Sequence, residues 1–147
     1  MGNLSVGDVA PDFCVKSHTG QELKLSDYKG KSVLLWFYPK ADTPGCTREG
    51  CGFRDRLPEF EKKNAQILGV SFDTVEENLA FAEKYEYNFP LLCDTKREIG
   101  LAYGACDDAQ AANAKRISYL IGPDGKIAHS FGKVDASSHP EEALKFL

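Results

Sequence analysis

The sequence predicts an α/β fold with a mixed central β-sheet flanked by helices. Two observations carry that expectation. An apolar, β-branched and aromatic run at Ser32–Phe37 is followed by a helical stretch and a second such run at residues 65–72, which is a strand–helix–strand unit and calls for a parallel, right-handed pairing. Near the C-terminal end, two further apolar segments flank Gly122, Pro123, Asp124 and Gly125, turn residues that join antiparallel strands. A parallel unit and an antiparallel hairpin in one chain make the sheet mixed.

The elements follow in order. Ser32–Phe37 has no polar alternation, as expected of a strand buried on both faces. A Pro/Gly-containing loop over residues 38–45 leads into a helix from about residue 46 to 64, in which Pro58 should kink or split the helix because it cannot donate the helical hydrogen bond. Thr74 with Glu77 has capping-box spacing and opens a helix to about residue 85. Residues 90–93 form a short strand, and Thr95 with Glu98 reads as a second capping box, opening a short helix toward Tyr103. Residues 115–121 and 126–131 are the hairpin strands, and a last helix covers about residues 140–147. Thioredoxin-like topology fits this order, as do several other α/β sandwiches.

Length and composition narrow the function classes. The chain has 147 residues, suited to one domain with a core of its own, and needs neither disulfide nor structural metal to stay folded. Its net charge is −4, with no basic block, which argues against nucleic acid or an anionic membrane as partner. The longest wholly apolar run, residues 33–38, is far too short to cross a bilayer. No secretory signal is visible over residues 1–13; Val6 stands where a myristoylation motif at Gly2 needs Ser or Thr, and the Asn3-Leu4-Ser5 sequon has no meaning without export. The 5 cysteines, at 14, 46, 51, 93 and 106, read as thiols of a reducing, cytoplasmic setting.

One of these thiols stands apart. Cys46 lies where the loop after the first buried strand turns into a helix, so its sulfur faces unpartnered backbone N–H groups and the positive end of the macrodipole. Gly45 permits close backbone approach, and Thr43 places a hydroxyl within reach of sulfur or substrate. Magnitudes require more than the helix. Bringing an ordinary thiol of pKa about 8.5 down to about 6 takes roughly 3.4 kcal/mol, whereas a helix N-terminus supplies about 0.3–1 and at best about 2 kcal/mol. A fixed cation must add the rest. Arg116 is the candidate, since its strand should neighbour Ser32–Phe37; Arg48 and Arg54 are competitors.

Pro39, Thr43 and Cys46 match the Pro-x-x-x-Thr-x-x-Cys motif of the peroxiredoxins, and the run over residues 37–51 closely resembles the bacterioferritin-comigratory-protein (PrxQ) class. The similarity extends from residues 6–13 to the segment 116–126. It implies a thioredoxin fold and thiol-dependent reduction of hydrogen peroxide and organic hydroperoxides without a cofactor. It also implies a peroxidatic Cys46, a resolving Cys51, Thr43 and Arg116 orienting the peroxide, Pro39 shielding the sulfur, thioredoxin or a similar dithiol as reductant, and a monomer.

The chemistry is demanding. Nucleophilicity falls with pKa, so donors aimed at the charge developing on the leaving oxygen must do much of the work, a role assigned to the Thr43 hydroxyl, Arg116 and the Cys46 amide. On an intact helix residues 46 and 51 lie about 7.5 Å apart along the axis and about 140° around it. Their Cα atoms are then roughly 8–9 Å apart, beyond the ~7 Å reach of a disulfide. The segment must unwind, and Gly50 and Gly52 lower the cost of unwinding or else serve close packing.

Cys14 and Cys93 read as core residues, Cys106 as exposed or as an alternative thiol within a divergent segment, residues 105–115, and Trp36, Phe37 and Tyr38 as core and pocket wall. His18, His129 and His139 have no metal-ligand spacing. Three rival readings remain: a thiol–disulfide oxidoreductase, disfavoured by the absence of Cys-x-x-Cys; a redox sensor or holdase; and a peroxidase resolved by an external thiol.

Overall fold

A computed structural model describes residues 4–147; Gly2 and Asn3, weighed above for modification, lie outside the described residues. The central sheet has five strands in the order β5-β4-β3-β6-β7: Leu91–Cys93, Ala65–Ser71, Ser32–Phe37, Ser118–Ile121 and Ile127–Phe131. β3 pairs parallel with β4 and antiparallel with β6, and β6 and β7 form the antiparallel hairpin. The mixed sheet expected from the sequence is therefore present. A separate small hairpin, β1 (Cys14–Lys16) and β2 (Glu22–Lys24), was not expected; each strand has three residues, too few for a period to stand out.

β3 sits at the centre and separates two cores. Val33, Leu35 and Phe37 point into one, with Leu68, Val70, Tyr103 and Tyr119. Leu34, Trp36 and Tyr38 point into the other, with Cys46, Phe53, Phe60 and Phe81. The period of two along a strand makes this division, and burial on both faces explains the unbroken apolar run.

Among the described residues four α-helices flank the sheet: α1 (Pro44–Lys62), α2 (Val75–Lys84), α3 (Glu98–Ala102) and α4 (His139–Leu144). α1, α2 and α4 contribute Phe53, Phe81 and Ala143 to one core, and α3 contributes Ile99 to the other. The Thr74 capping box forms as expected, Thr74 Oγ1 receiving the Glu77 N–H at 3.2 Å. No helix among the described residues is long and apolar enough to cross a membrane.

Several expectations are corrected. α1 runs through Pro58 without splitting. Pro58 is on the exposed side, where water can serve the carbonyl it leaves free, while Cys46, Glu49, Gly50, Phe53, Leu57 and Phe60 on the buried face hold the helix to the core. The second capping box does not form: Arg97 occupies the N-cap in a left-handed conformation (φ 62°), with no side-chain cap from it. Asp94 caps α3 instead, its carboxylate receiving the N–H groups of Ile99 at 3.2 Å and Gly100 at 2.7 Å. Asp94→Ala should cost about 0.5–2 kcal/mol in urea denaturation, the usual worth of an N-cap, and Thr95→Ala nothing comparable.

Two cysteines were also misplaced. Cys14 is exposed on the outer hairpin, its thiol 3.8 Å from a Glu22 carboxylate oxygen, because a three-residue edge strand has no second layer over it. Cys106 is buried beside Phe72 and α3, not exposed; its sulfur lies 3.1 Å from where a Cβ on Gly100 would stand. Cys93 is buried as expected.

Candidate active site

The loop from β3 to α1 is fixed from below. The Ala41 N–H donates to Asp73 Oδ2 at 2.8 Å, and Asp42, with φ 60°, is gripped by Lys84 Nζ at 3.0 Å and the Tyr85 hydroxyl at 2.9 Å. Thr43 takes the extended N-cap conformation and Pro44 begins the helix, where its missing N–H costs nothing. Cys46 therefore falls in the first turn of a 19-residue helix, with free N–H groups and the positive dipole end beside it. The residue itself is 0% exposed.

Arg116 supplies the cation. Its Nη2 lies 3.5 Å from Cys46 Sγ, although 70 residues separate the two. Arg116 stands two residues ahead of β6 rather than on it, and the β3–β6 pairing still carries it across the sheet to the helix N-terminus. Arg48 and Arg54 drop out: Arg48 is exposed, and Arg54 donates to the Tyr85 carbonyl at 2.7 Å and pairs with Asp55 at 3.0 Å. Gly45 is needed for this approach, since a Cβ there would come within 2.8 Å of Arg116 Nη2.

Glu49, one turn after Cys46, was missed in the sequence. It is 0% exposed, and its Oε1 receives Arg116 Nη1 at 2.7 Å. Burial pushes its carboxyl up to about 7, against the pull of the guanidinium. Its other oxygen, Oε2, has no hydrogen-bond partner, which fits a carboxyl that holds its proton easily. The fork of Arg116 thus spans a carboxylate oxygen and the sulfur, so Glu49 sets the angle at which the guanidinium meets Cys46. The signal lay in the spacing: residues three apart on a helix share a face.

The remaining candidates are distributed around this pair. The Thr43 hydroxyl donates to the Lys40 carbonyl at 2.8 Å, so its proton is taken and its oxygen is free to accept, the reverse of the donor role expected. Pro39 is half-buried at the exit of β3, and the Asn113 side-chain amide lies 3.1 Å from its carbonyl oxygen, donating to it when the amide nitrogen faces that way, which brings the divergent 105–115 segment to the rim of the site. Cys51 is half-buried on the same helix, its sulfur 3.8 Å from the Tyr87 hydroxyl. Gly50 and Gly52 have packing reasons: added Cβ atoms would stand 2.3 Å from the Tyr87 hydroxyl and 2.7 Å from Pro140. Trp36, Phe37 and Tyr38 are core, each 0% exposed. Among the described residues no cluster of His, Cys, Asp or Glu is placed to hold a metal ion.

Residues 6–130 match the AhpC/TSA family. The chain belongs to that family. Within it, the chain is 39% identical to peroxiredoxin Bcp of Escherichia coli (strain K12), covering 100% of this chain and 97% of that one. Its fold superposes on a mutant of PrxQ from Xylella fastidiosa with a TM-score of 0.92, at 32% identity over 99% of this chain and 96% of that one. A bacterioferritin comigratory protein of Xanthomonas campestris, studied for alkyl peroxide reduction in a trapped intermediate, gives a TM-score of 0.87 at 30% identity, over 97% and 94% of the two chains. The mixed sheet and its helices are thus the thioredoxin fold of the AhpC/TSA peroxiredoxins.

Proposed function

We propose that this thiol-dependent peroxidase reduces hydrogen peroxide and organic hydroperoxides through Cys46 and resolves the product with Cys51. The observation that carries the reading is the Cys46 sulfur in the first turn of α1 with the Arg116 guanidinium 3.5 Å away. Alkyl peroxide reduction by the Xanthomonas relative supports the substrate class.

The Cys46 thiolate attacks one peroxide oxygen and the O–O bond breaks. The departing oxygen leaves as hydroxide or alkoxide and takes up a proton to become water or alcohol. Arg116 and the first-turn amides stabilise the charge on that oxygen, and Thr43 Oγ1 accepts the O–H of the peroxide. Pro39 closes the rim. Cys46 is left as a sulfenic acid, and attack by Cys51 forms the disulfide and releases water, the thiol proton leaving with the hydroxyl. A dithiol such as thioredoxin returns both thiols. The five thiols are free, which suits a reducing, cytoplasmic compartment. The resemblance to the PrxQ class supports a single domain that acts as a monomer.

The test is residue-specific oxidation by one equivalent of peroxide. Peptide mapping should find a Cys46–Cys51 disulfide in the parent, and Cys51→Ser should accumulate a sulfenic acid at residue 46 that a cyclic 1,3-dione traps. First oxidation at Cys14, Cys93 or Cys106 overturns the reading. Full thioredoxin-linked turnover by Cys51→Ser would instead favour an external resolving thiol.

A further inference from the structure

We infer that Tyr87 is a positioning residue for the resolving step, a latch that ties Cys51 to its own helical turn and sets how fast the disulfide forms. The inference rests on the resolving role proposed for Cys51 above. Tyr87 lies between α2 and β5 and is buried. Its hydroxyl donates to the Thr47 carbonyl at 3.3 Å, which leaves its oxygen to receive the Cys51 thiol at 3.8 Å.

The Thr47 carbonyl is also the acceptor that helical geometry assigns to the Cys51 N–H, four residues on. Both the amide and the thiol of residue 51 are thereby tied to one carbonyl, directly and through the tyrosine. The tyrosine itself is held rigidly. Its ring stacks on Tyr85 (centroids 6.0 Å, interplanar angle 26°) and on Phe89 (5.2 Å, 18°), and Phe81 meets it edge-on at 5.0 Å. Gly50 supplies the recess, since a Cβ would stand 2.3 Å from the hydroxyl and 2.6 Å from the adjacent ring carbon. Burial raises the Tyr87 pKa well above 10, so the hydroxyl stays a neutral donor at any working pH.

The disulfide requires residues 46 and 51 to leave helical spacing, because their Cα atoms are roughly 8–9 Å apart on the helix against a ~7 Å limit. Opening that turn breaks the Tyr87 contacts. In the closed state they keep Cys51 away from Cys46 while the peroxide reacts. No atom is exchanged with Tyr87: the S–S bond forms, the S–O and S–H bonds break, and water leaves as before.

The experiment is stopped-flow oxidation of the parent and Tyr87→Phe, following the single tryptophan, Trp36, with acid-quenched mass spectrometry to time the disulfide. The ring stack survives in the phenylalanine variant and only the hydroxyl is lost. Its loss should speed the disulfide phase roughly two- to twelve-fold, the range that one hydrogen bond's net worth spans, and leave the peroxide phase at the parent rate. Amide exchange of the reduced protein provides the second readout: protection should fall by the same factor at residues 49–53 and hold in β3 and β4. A disulfide phase that is unchanged or slower overturns the latch, as does a uniform loss of protection, which would mark Tyr87 as packing alone. If the parent makes no Cys46–Cys51 disulfide at all, the resolving assignment falls and takes the latch with it; a normal disulfide with an unaltered rate in Tyr87→Phe removes the latch only.

Discussion

Arg116→Met should slow the reaction of Cys46 with hydrogen peroxide by about 10²–10³, the usual loss when one preorganised donor to developing charge is removed. Well above pH 7, where Glu49 is ionised, the same substitution should destabilise the fold by about 3 kcal/mol, because it leaves that buried carboxylate without its counterpart. The two effects have different owners. The rate depends on the guanidinium Nη2 facing the sulfur at 3.5 Å, whereas the stability depends on Nη1 against Glu49 at 2.7 Å. The Arg116 side chain keeps 22% exposure while that of Glu49 has none, so the cost falls on the carboxyl. Adding Glu49→Gln to Arg116→Met should therefore restore much of the stability and none of the rate. Urea denaturation and stopped-flow peroxide consumption on both variants and the parent check this. A double variant as unstable as the single, or a single variant reacting at the parent rate, refutes the division of labour.

The second large effect is expected far from the sulfur. His139 opens α4 and is 1% exposed, with Nε2 2.9 Å from Ser118 Oγ on β6. Phe53 of α1 and Phe131 of β7 meet its ring edge-on. Burial lowers its pKa to about 4; Glu142, 3.7 Å from Nδ1, is the acidic group facing it and only partly offsets this. An unfolded histidine takes its proton near 6.5, the folded one only near 4. The contribution is therefore complete above pH 6.5 and is lost as pH falls toward 4, by roughly 3 kcal/mol over that gap. Asp94, whose carboxyl burial raises to about 6, and Glu49 work in the opposite direction, so the measurement is a difference. Over that range the parent should lose about 3 kcal/mol more than His139→Gln. Parallel stability curves contradict it. Proton NMR titration of the parent gives an independent answer, since a His139 signal titrating near 6.5 would contradict it too.

Much of this was legible in the sequence, for identifiable reasons. β3 was readable because burial on both faces leaves no polar alternation, and the turn at residues 122–125 because its residue types admit few alternatives. Arg116 could be named because an antiparallel hairpin beside a parallel unit has few places to go. What was missed depends on contacts between distant residues. Nothing in the Thr95–Glu98 spacing shows that Asp94 reaches the α3 amides first, since that requires Arg97 to turn left-handed. Glu49 looked like any helical glutamate until Arg116 arrived from 67 residues away. For Gly50 close packing was one of the two readings, and what the spacing could not show is that the packing partner is Tyr87.

The 70 residues between Cys46 and the arginine that faces it also bear on how the protein is made. A ribosome adding about 5–20 residues per second incorporates Cys46 roughly 4–14 s before Arg116. Through that interval the cysteine has no guanidinium beside it, so the nascent chain passes through synthesis without the arginine half of its reactive site. The reactive site is complete only once the segment that carries Arg116 has been made, so an unfinished molecule lacks the donor that speeds its reaction with peroxide.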